Sequence, residues 1–427
     1  MRRIAGIMAG LLLALLATGC MSGSFIENED QVARLGDEAR KKVVIWHTYS
    51  DEETNVFENE VIPRFEAEYP DIQIESIRQT LNQEFLSALT ARAAAGKTPD
   101  VIRMEYFWVP LFAQRNLLQP LDGMQDFAHI SSQLRGPMLE SNRYDEHVYG
   151  LPLNITTKAA IYNRALLDEA GVTAPPSSIG EVIALAQQGG YVIGMSGIEF
   201  WNSFPYFVGL GGQLTDESFT RTDGYLNGDA SVAAVTALLN LYREGIINPE
   251  MISKNADMWT DIYSSRELLM IDEGPWYYSI LMNTDEVDVD LLEATWPAPF
   301  PSDGGYGSII GGESLVMTKG ARHKPEAWTF MSWLTRKDVQ LTLSTAGLIP
   351  VNMEAARAEE LTDNPAKRYL EPYMAGMQQA FYRPAIPQWN EVEVIYNEAM
   401  ENIFIRGMDV ATALNEASAA IDELIRD

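Results

Sequence analysis

Val43-Val44-Ile45-Trp46-His47, read with the sixty residues that follow it, decides the fold. The five are mostly apolar and rich in β-branched side chains, which predicts a short buried strand. Val56, Phe57, Val61, Phe65 and Tyr69 then recur at three- and four-residue spacing, the period of a helix with one buried face. Pro63 falls inside that run and predicts a bend or a restart there. Asp71 to Ile77 alternates as a second strand. Residues 82 to 95 turn Phe85, Leu86, Leu89 and Ala93 inward as a second helix, with Gly96 as its stop. PDVIRM (Pro99 to Met104) gives a third strand. Strand, helix, strand, helix, strand with short connections predicts a parallel sheet covered by helices on both faces, an α/β fold.

Working outward, the alternation resumes beyond residue 150. AIYN (Ala160 to Asn163), YVIG (Tyr191 to Gly194) and ELLMID (Glu267 to Asp272) read as strands with helical patterns between them. A helix starts near Trp276, because Gly274-Pro275 precedes it and proline suits a first turn. Two α/β lobes and no solenoid repeat are expected. Towards the N-terminus, Arg2 and Arg3 precede an apolar stretch, Ile4 to Ala17, too short with its flanks to span a bilayer. Ala17-Thr18-Gly19 lead into Cys20, the only cysteine of the chain. This order predicts a signal peptide over residues 1–19 and lipid on the Cys20 sulfur, as in a bacterial lipobox. Residues 20–40 are small and polar and read as a lipidated tether. No later segment is long and apolar enough to cross a membrane, so the chain is expected to be anchored at a membrane without spanning it.

The 427 residues carry a formal charge of −29, which excludes nucleic acid as a partner because phosphate would be repelled. With Cys20 committed to lipid, no disulfide or multi-cysteine metal site is available. His47, His129, His147 and His323 lack metal-ligand spacing, so neither metal nor cofactor is expected. AGKTP contains Gly-Lys-Thr, but Ala91 stands where a phosphate loop needs its first glycine, and the segment ends a helix. No GxSxG elbow is present and no catalytic residue is assigned. The acidic run TDEVDVDLLE lacks the glycine of a calcium loop and reads as solvated surface.

Ligands of open α/β sheets sit beyond the carboxyl ends of the strands. The first strand ends in Trp46, His47, Thr48, Tyr49, Ser50 and Asp51, and the third in Arg103, Met104, Glu105, Tyr106, Phe107 and Trp108. Later ends and loops carry Trp201-Asn202, Gly274-Pro275-Trp276, Tyr306, Gly311-Gly312-Glu313, Tyr382-Arg383-Pro384 and Trp389. Flat aromatic faces beside carboxylates, amides and glycines suit a pyranose, whose C–H face lies on a ring while its hydroxyls take directional hydrogen bonds. Against this stands the ordinary use of tryptophan as core.

From Val43 almost to the end, the chain resembles the extracellular solute-binding proteins of carbohydrate ABC importers, of the maltose and trehalose type. The resemblance rests on VVIWHTYSDEE, AGKTPDVIRMEYFWVPLFAQRNLLQPL, YGLPLNITTKAAIYNRALLDEAGV, ELLMIDEGPWYYSI, GGESLVMTKGA and YRPAIPQWNEVEVIY, in that order. It implies a periplasmic-binding-protein-like (type II) two-lobe clamp with a hinge and discontinuous lobes. Residues 41–151 plus 300–349 would form the N-terminal lobe, and 152–299 plus 350–427 the C-terminal lobe. By position it implies ligand contacts from His47, Tyr49, Asp51, Glu105 and Trp108, then Asn154, Thr156, Trp201, Trp276 and Tyr306. Gly311, Gly312, Glu313, Arg383 and Trp389 complete the set. At Asn154 and Thr156 many relatives carry an aromatic or an acid, so the sugar itself stays open. A monomer that captures a di- or oligosaccharide by closing and hands it to membrane permease subunits is the function implied. Two alternatives remain at this point: a receptor for a glycerol phosphate or other polar solute, and a secreted glycoside-active enzyme using Glu105 and Glu313.

Overall fold

The computed structural model describes residues 40–426, apart from 81–82, 254–257, 285–288, 305 and 365–366. The expected signal peptide and Cys20, and all of the tether but Arg40, lie outside the described residues.

Strand β1 (Lys41–His47) buries Val43 and Ile45 and runs parallel to both β2 (Ile72–Arg78) and β3 (Val101–Glu105). The helical run between β1 and β2 answers Pro63 by widening: Asp51–Val56 is α-helical, Phe57–Val61 is a π-turn, and Ile62–Glu68 is α-helical again. Proline has no N–H for the carbonyl four residues back. The ladder takes up an extra residue just ahead of it, where the Ile62 N–H reaches the Phe57 carbonyl. The helix Gln83–Ala94 stops at Gly96, whose φ of 64° is the left-handed conformation expected of a stop.

Beyond a small hairpin of β4 (Arg143–Tyr144) and β5 (His147–Val148) come β6 (Gly150–Thr157) and β7 (Ala159–Asn163), buried almost throughout. These continue into β8 (Val192–Gly194), β9 (Leu268–Glu273), β10 (Thr295–Pro299), β11 (Ser308–Met317), β12 (Ile349–Pro350) and β13 (Ala380–Phe381). They form two main sheets. The larger has the order β12-β6-β11-β3-β1-β2 with β13 beside β11, and the smaller β10-β7-β9-β8. The chain passes from the larger to the smaller at Lys158 and returns between Pro299 and Ser308.

The parallel pairing expected of the first three strands is present, but the sheet they enter is not parallel throughout. β11 runs antiparallel to both β3 and β6, so the larger sheet is mixed. Only β1, β2 and β3 are joined by local crossovers that enforce parallel pairing. β11 comes from about two hundred residues downstream, where no short connection dictates its direction. Its insertion puts Glu313 opposite Glu105 on one side and opposite Asn154 on the other.

Candidate functional site

Strand alternation sets the first wall of the site. Met104 points into the core, so Arg103 and Glu105 share the other face of β3. Two carboxylates placed directly across a strand pair repel, and Glu105 and Glu313 are so placed. Glu313 is neutralised in place: an Arg103 guanidinium nitrogen lies 2.9 Å from Glu313 Oε2. Asn154 Nδ2 donates to the same oxygen over 2.6 Å, and Asn154 Oδ1 accepts from Arg103 over 3.2 Å. Glu105 has no hydrogen bond or ion pair among the described residues. Burial, and then the charge of Glu313, push its carboxyl up to about 8 against the pull of Arg383 and Arg103. At neutral pH Glu105 is therefore a hydrogen-bond donor.

Arg103 also lies 4.0 Å above the Tyr49 ring and donates to Thr48 Oγ1 over 3.1 Å, which ties the end of β1 to β3. Ser50 and Glu53 close a capping box at the start of the helix Asp51–Val56, with the Ser50 N–H donating to Glu53 Oε2 over 2.8 Å. Burial raises the Glu53 pKa.

The facing wall is aromatic. Trp201 stands at the start of the helix Phe200–Gly209, and Trp276 opens the helix Trp276–Leu281 beyond β9. Their ring centroids are 6.2 Å apart with planes 33° from parallel. Glu273, the last residue of β9, accepts from Trp276 Nε1 over 3.0 Å and from Trp259 Nε1 over 3.1 Å, which fixes the Trp276 indole. Behind Trp201, Lys158 donates to Asn202 over 3.1 Å and is ion-paired with Asp272, both fully buried. Burial raises the Asp272 carboxyl to about 6 in spite of Lys158.

Two glycines let the walls meet. A Cβ on Gly311 would sit 3.0 Å from the Trp201 ring, and one on Gly312, whose φ is 127°, would sit 2.4 Å from the Asn154 carbonyl oxygen. Arg383 joins them from the C-terminal part of the chain. It is ion-paired with Glu393 at 2.5 Å, donates to the Ile310 carbonyl over 2.7 Å, and lies 4.4 Å from the Phe107 ring.

Between the walls is a cavity of about 880 Å³. Of the fifteen residues expected from the sequence, ten line it: Tyr49, Glu105, Trp108, Thr156, Trp201, Trp276, Gly311, Gly312, Glu313 and Arg383. Three of their polar atoms are buried there without a partner, namely the Tyr49 hydroxyl, Trp108 Nε1 and Thr156 Oγ1. The other five lie elsewhere. His47 is fully buried under Tyr49 and Phe57 and hydrogen-bonds Ser76 Oγ over 2.8 Å. Burial, helped by Arg103 and Arg78, lowers its pKa to about 3, so it is neutral. Asp51 points outward and pairs with Arg78. Asn154 sits beneath the cavity as the holder of Glu313 and borders a small adjoining void. Tyr306 lines a separate cavity of about 690 Å³. Trp389 is core, 1% exposed, its Nε1 donating to Glu393 over 2.9 Å. Sequence reading passed over Glu53 and Glu393 and named Phe107 only within the end of the third strand; all three also line the cavity. The Ser50-x-x-Glu53 capping signal was there to find Glu53; no local pattern marks Glu393.

Residues 60–368 match the family model for bacterial extracellular solute-binding proteins. A binding protein of Brucella abortus is 26% identical over 99% of this chain and 98% of its own. The maltotriose-binding protein of Pyrococcus abyssi is 25% identical over 84% of this chain and 78% of its own. Among solved structures, the GacH receptor of Streptomyces glaucescens, described unliganded and with acarbose, superposes with a TM-score of 0.78 at 23% identity, covering 91% of this chain and 99% of that one. The two sheets are thus those of the two-lobed type II binding fold, and this chain belongs to the bacterial extracellular solute-binding proteins.

Proposed function

We propose that this protein captures a di- or oligosaccharide between its two lobes and presents it to the permease of an ABC importer. One observation carries the reading: the indole pair of Trp201 and Trp276 faces a wall of carboxyl, hydroxyl and indole N–H groups across a cavity of about 880 Å³. An indole face desolvates the C–H face of a pyranose, and the unpartnered Tyr49 hydroxyl, Trp108 Nε1 and Thr156 Oγ1 meet its hydroxyls. The names of the maltotriose-binding relative and of the acarbose-bound receptor point the same way.

The cavity arginines argue against a glycerol phosphate. Arg383 is held by Glu393 and Arg78 by Asp51, whereas a phosphate needs guanidinium donors of its own. Hydrolysis is disfavoured because Glu105 and Glu313 stand side by side on adjacent strands, on one wall, instead of flanking a scissile bond. The receptor works outside the cytoplasm, as its family does. We assign the anchor to lipid on Cys20, take the working form to be a monomer, and place the lobe boundaries near residues 150, 300 and 350. Closure about those crossings follows from ligand contacts that both walls make together.

A thermal-shift screen of the chain lacking residues 1–20 tests the reading. A saccharide at a hundredfold excess over its Kd adds about 2.7 kcal/mol to folded-state stability and raises the melting temperature. A shift with one saccharide class is the expected result. A shift with glycerol phosphates or amino acids, and with no saccharide, would overturn it.

A further inference from the structure

Two carboxyls lining the cavity are left without a cationic partner. Arg383 is taken by Glu393, Arg78 by Asp51, and Glu313 by Arg103 from behind. Glu53 and Glu105 are left, both facing the cavity and neither in an ion pair among the described residues. Glu53 is partly satisfied by the Ser50 backbone N–H, whereas Glu105 has no such donor. The Glu105 carboxyl is open to a ligand: a hydroxyl satisfies it as an acid, and an ammonium satisfies it by a charge-assisted bond once it has given up its proton. Beside it, the Tyr49 hydroxyl and Trp108 Nε1, each in a side chain more than nine-tenths buried, also lack partners and await a polar ligand. The Trp276 face is compatible with a sugar ring and with a cation, whereas Trp201 already has Arg383 and Lys158 5.4 and 5.8 Å from its ring centroid.

We propose that the ligand is an oligosaccharide bearing a basic amino group, and that Glu105 is the residue that selects it. This rests on the saccharide reading above. The groups facing Glu105 are Glu313 on β11, Arg103 on β3, Arg383 after β13 and Glu393 on the helix Trp389–Phe404. In the empty site Glu105 is protonated at neutrality. Capture of an ammonium then ionises it: the carboxylic acid and the ammonium become a carboxylate–ammonium pair, and one proton leaves to solvent.

Titration calorimetry at pH 7, in two buffers of different ionisation enthalpy, tests this with matched pairs. The β-1,4-linked glucosamine disaccharide is compared with cellobiose, and 2-amino-2-deoxymaltose with maltose. The amine member of at least one pair is expected to bind several-fold and at most roughly tenfold tighter than its hydroxyl counterpart, a charge-assisted hydrogen bond less the cost of ionising Glu105 at pH 7, with release of a proton. Glu105→Gln should bring the pair within about twofold, while Glu105→Asp, which keeps a carboxyl, retains the preference. Equal or tighter binding of the hydroxyl member in every pair, or a preference that survives Glu105→Gln, overturns the inference. Binding of maltotriose without binding of either amine also overturns it and leaves the saccharide reading standing. Failure of every saccharide, with a glycerol phosphate or an amino acid binding instead, overturns both.

Discussion

Replacing Trp276 by alanine should cost affinity and leave the fold nearly intact. The residue is half-buried and lines the cavity. A tryptophan buries roughly 150–250 Å² when fully enclosed; a pyranose laid on one face covers less than half of that, about 80 Å². At about 25 cal/mol per Å² this is worth about 2 kcal/mol, or roughly thirtyfold in Kd. Trp276→Phe keeps a flat face but loses the hydrogen bond to Glu273 that aims it, so it should fall between the two. Calorimetry against the saccharide found in the thermal screen gives the Kd, and calorimetric melting gives the stability. A Kd for Trp276→Ala within about twofold of the parent protein, with the ligand still saturating one site, would remove the indole from the ligand's path. It would also refute the area argument.

Three other perturbations have defined outcomes. Gly312→Ala places a Cβ 2.4 Å from the Asn154 carbonyl oxygen at a φ of 127°, and should destabilise the protein by roughly 3 kcal/mol; an unchanged melting temperature would show that β11 relaxes freely there. Glu105 has a folded pKa near 8, above its ordinary 4.5, so its contribution to stability is full at low pH and is lost as pH rises. Between pH 5 and 7 the ligand-free parent should lose about 2 kcal/mol relative to Glu105→Gln in denaturant titrations, and parallel pH profiles would contradict the raised pKa. Cys20→Ser should release the protein from membranes into the soluble fraction; a variant that still sediments with membranes refutes the anchor assignment.

What the sequence revealed was local. Val43, Ile45, Phe57 and Phe65 announce their strand and helix through spacing within a few residues, and all four are buried. Ends of strands could be found from that, and with them most of the cavity's aromatic residues. His47 and Trp389, expected at the site and found in the core, are places where a local rule was set aside. His47 continues the alternation of Val43 and Ile45 and goes into the core with them. Trp389 begins a buried stripe with Val392, Tyr396 and Ile403 at helical spacing. The pairings that make the site could not be read at all. Glu105 meets Glu313 and Asn154 only because β11 inserts between β3 and β6, and register between strands so distant in the chain is set by tertiary packing. Glu393 is present for the same reason, carried in by a helix near the end of the chain to hold Arg383.

The division of the cavity into a polar wall on one sheet and an indole wall on helices attached to the other dictates how closure responds to ligand. In the open form a saccharide reaches one wall at a time, and a ligand shifts an equilibrium only by its differential affinity for the two states. If closure adds both indoles at about 2 kcal/mol each, about 4 kcal/mol separates liganded open from liganded closed. That is close to a thousandfold shift, enough to turn a closed population of about 1% into one above 90%. Trp201→Ala combined with Trp276→Ala removes that difference while leaving Glu105, Glu313 and the unpartnered Tyr49 hydroxyl available to weak ligand. At saturating saccharide, small-angle scattering should show the parent contracting and the double variant keeping its ligand-free radius of gyration. Contraction of both would mean that the polar wall alone drives closure, and the indoles would then serve affinity without serving the hinge.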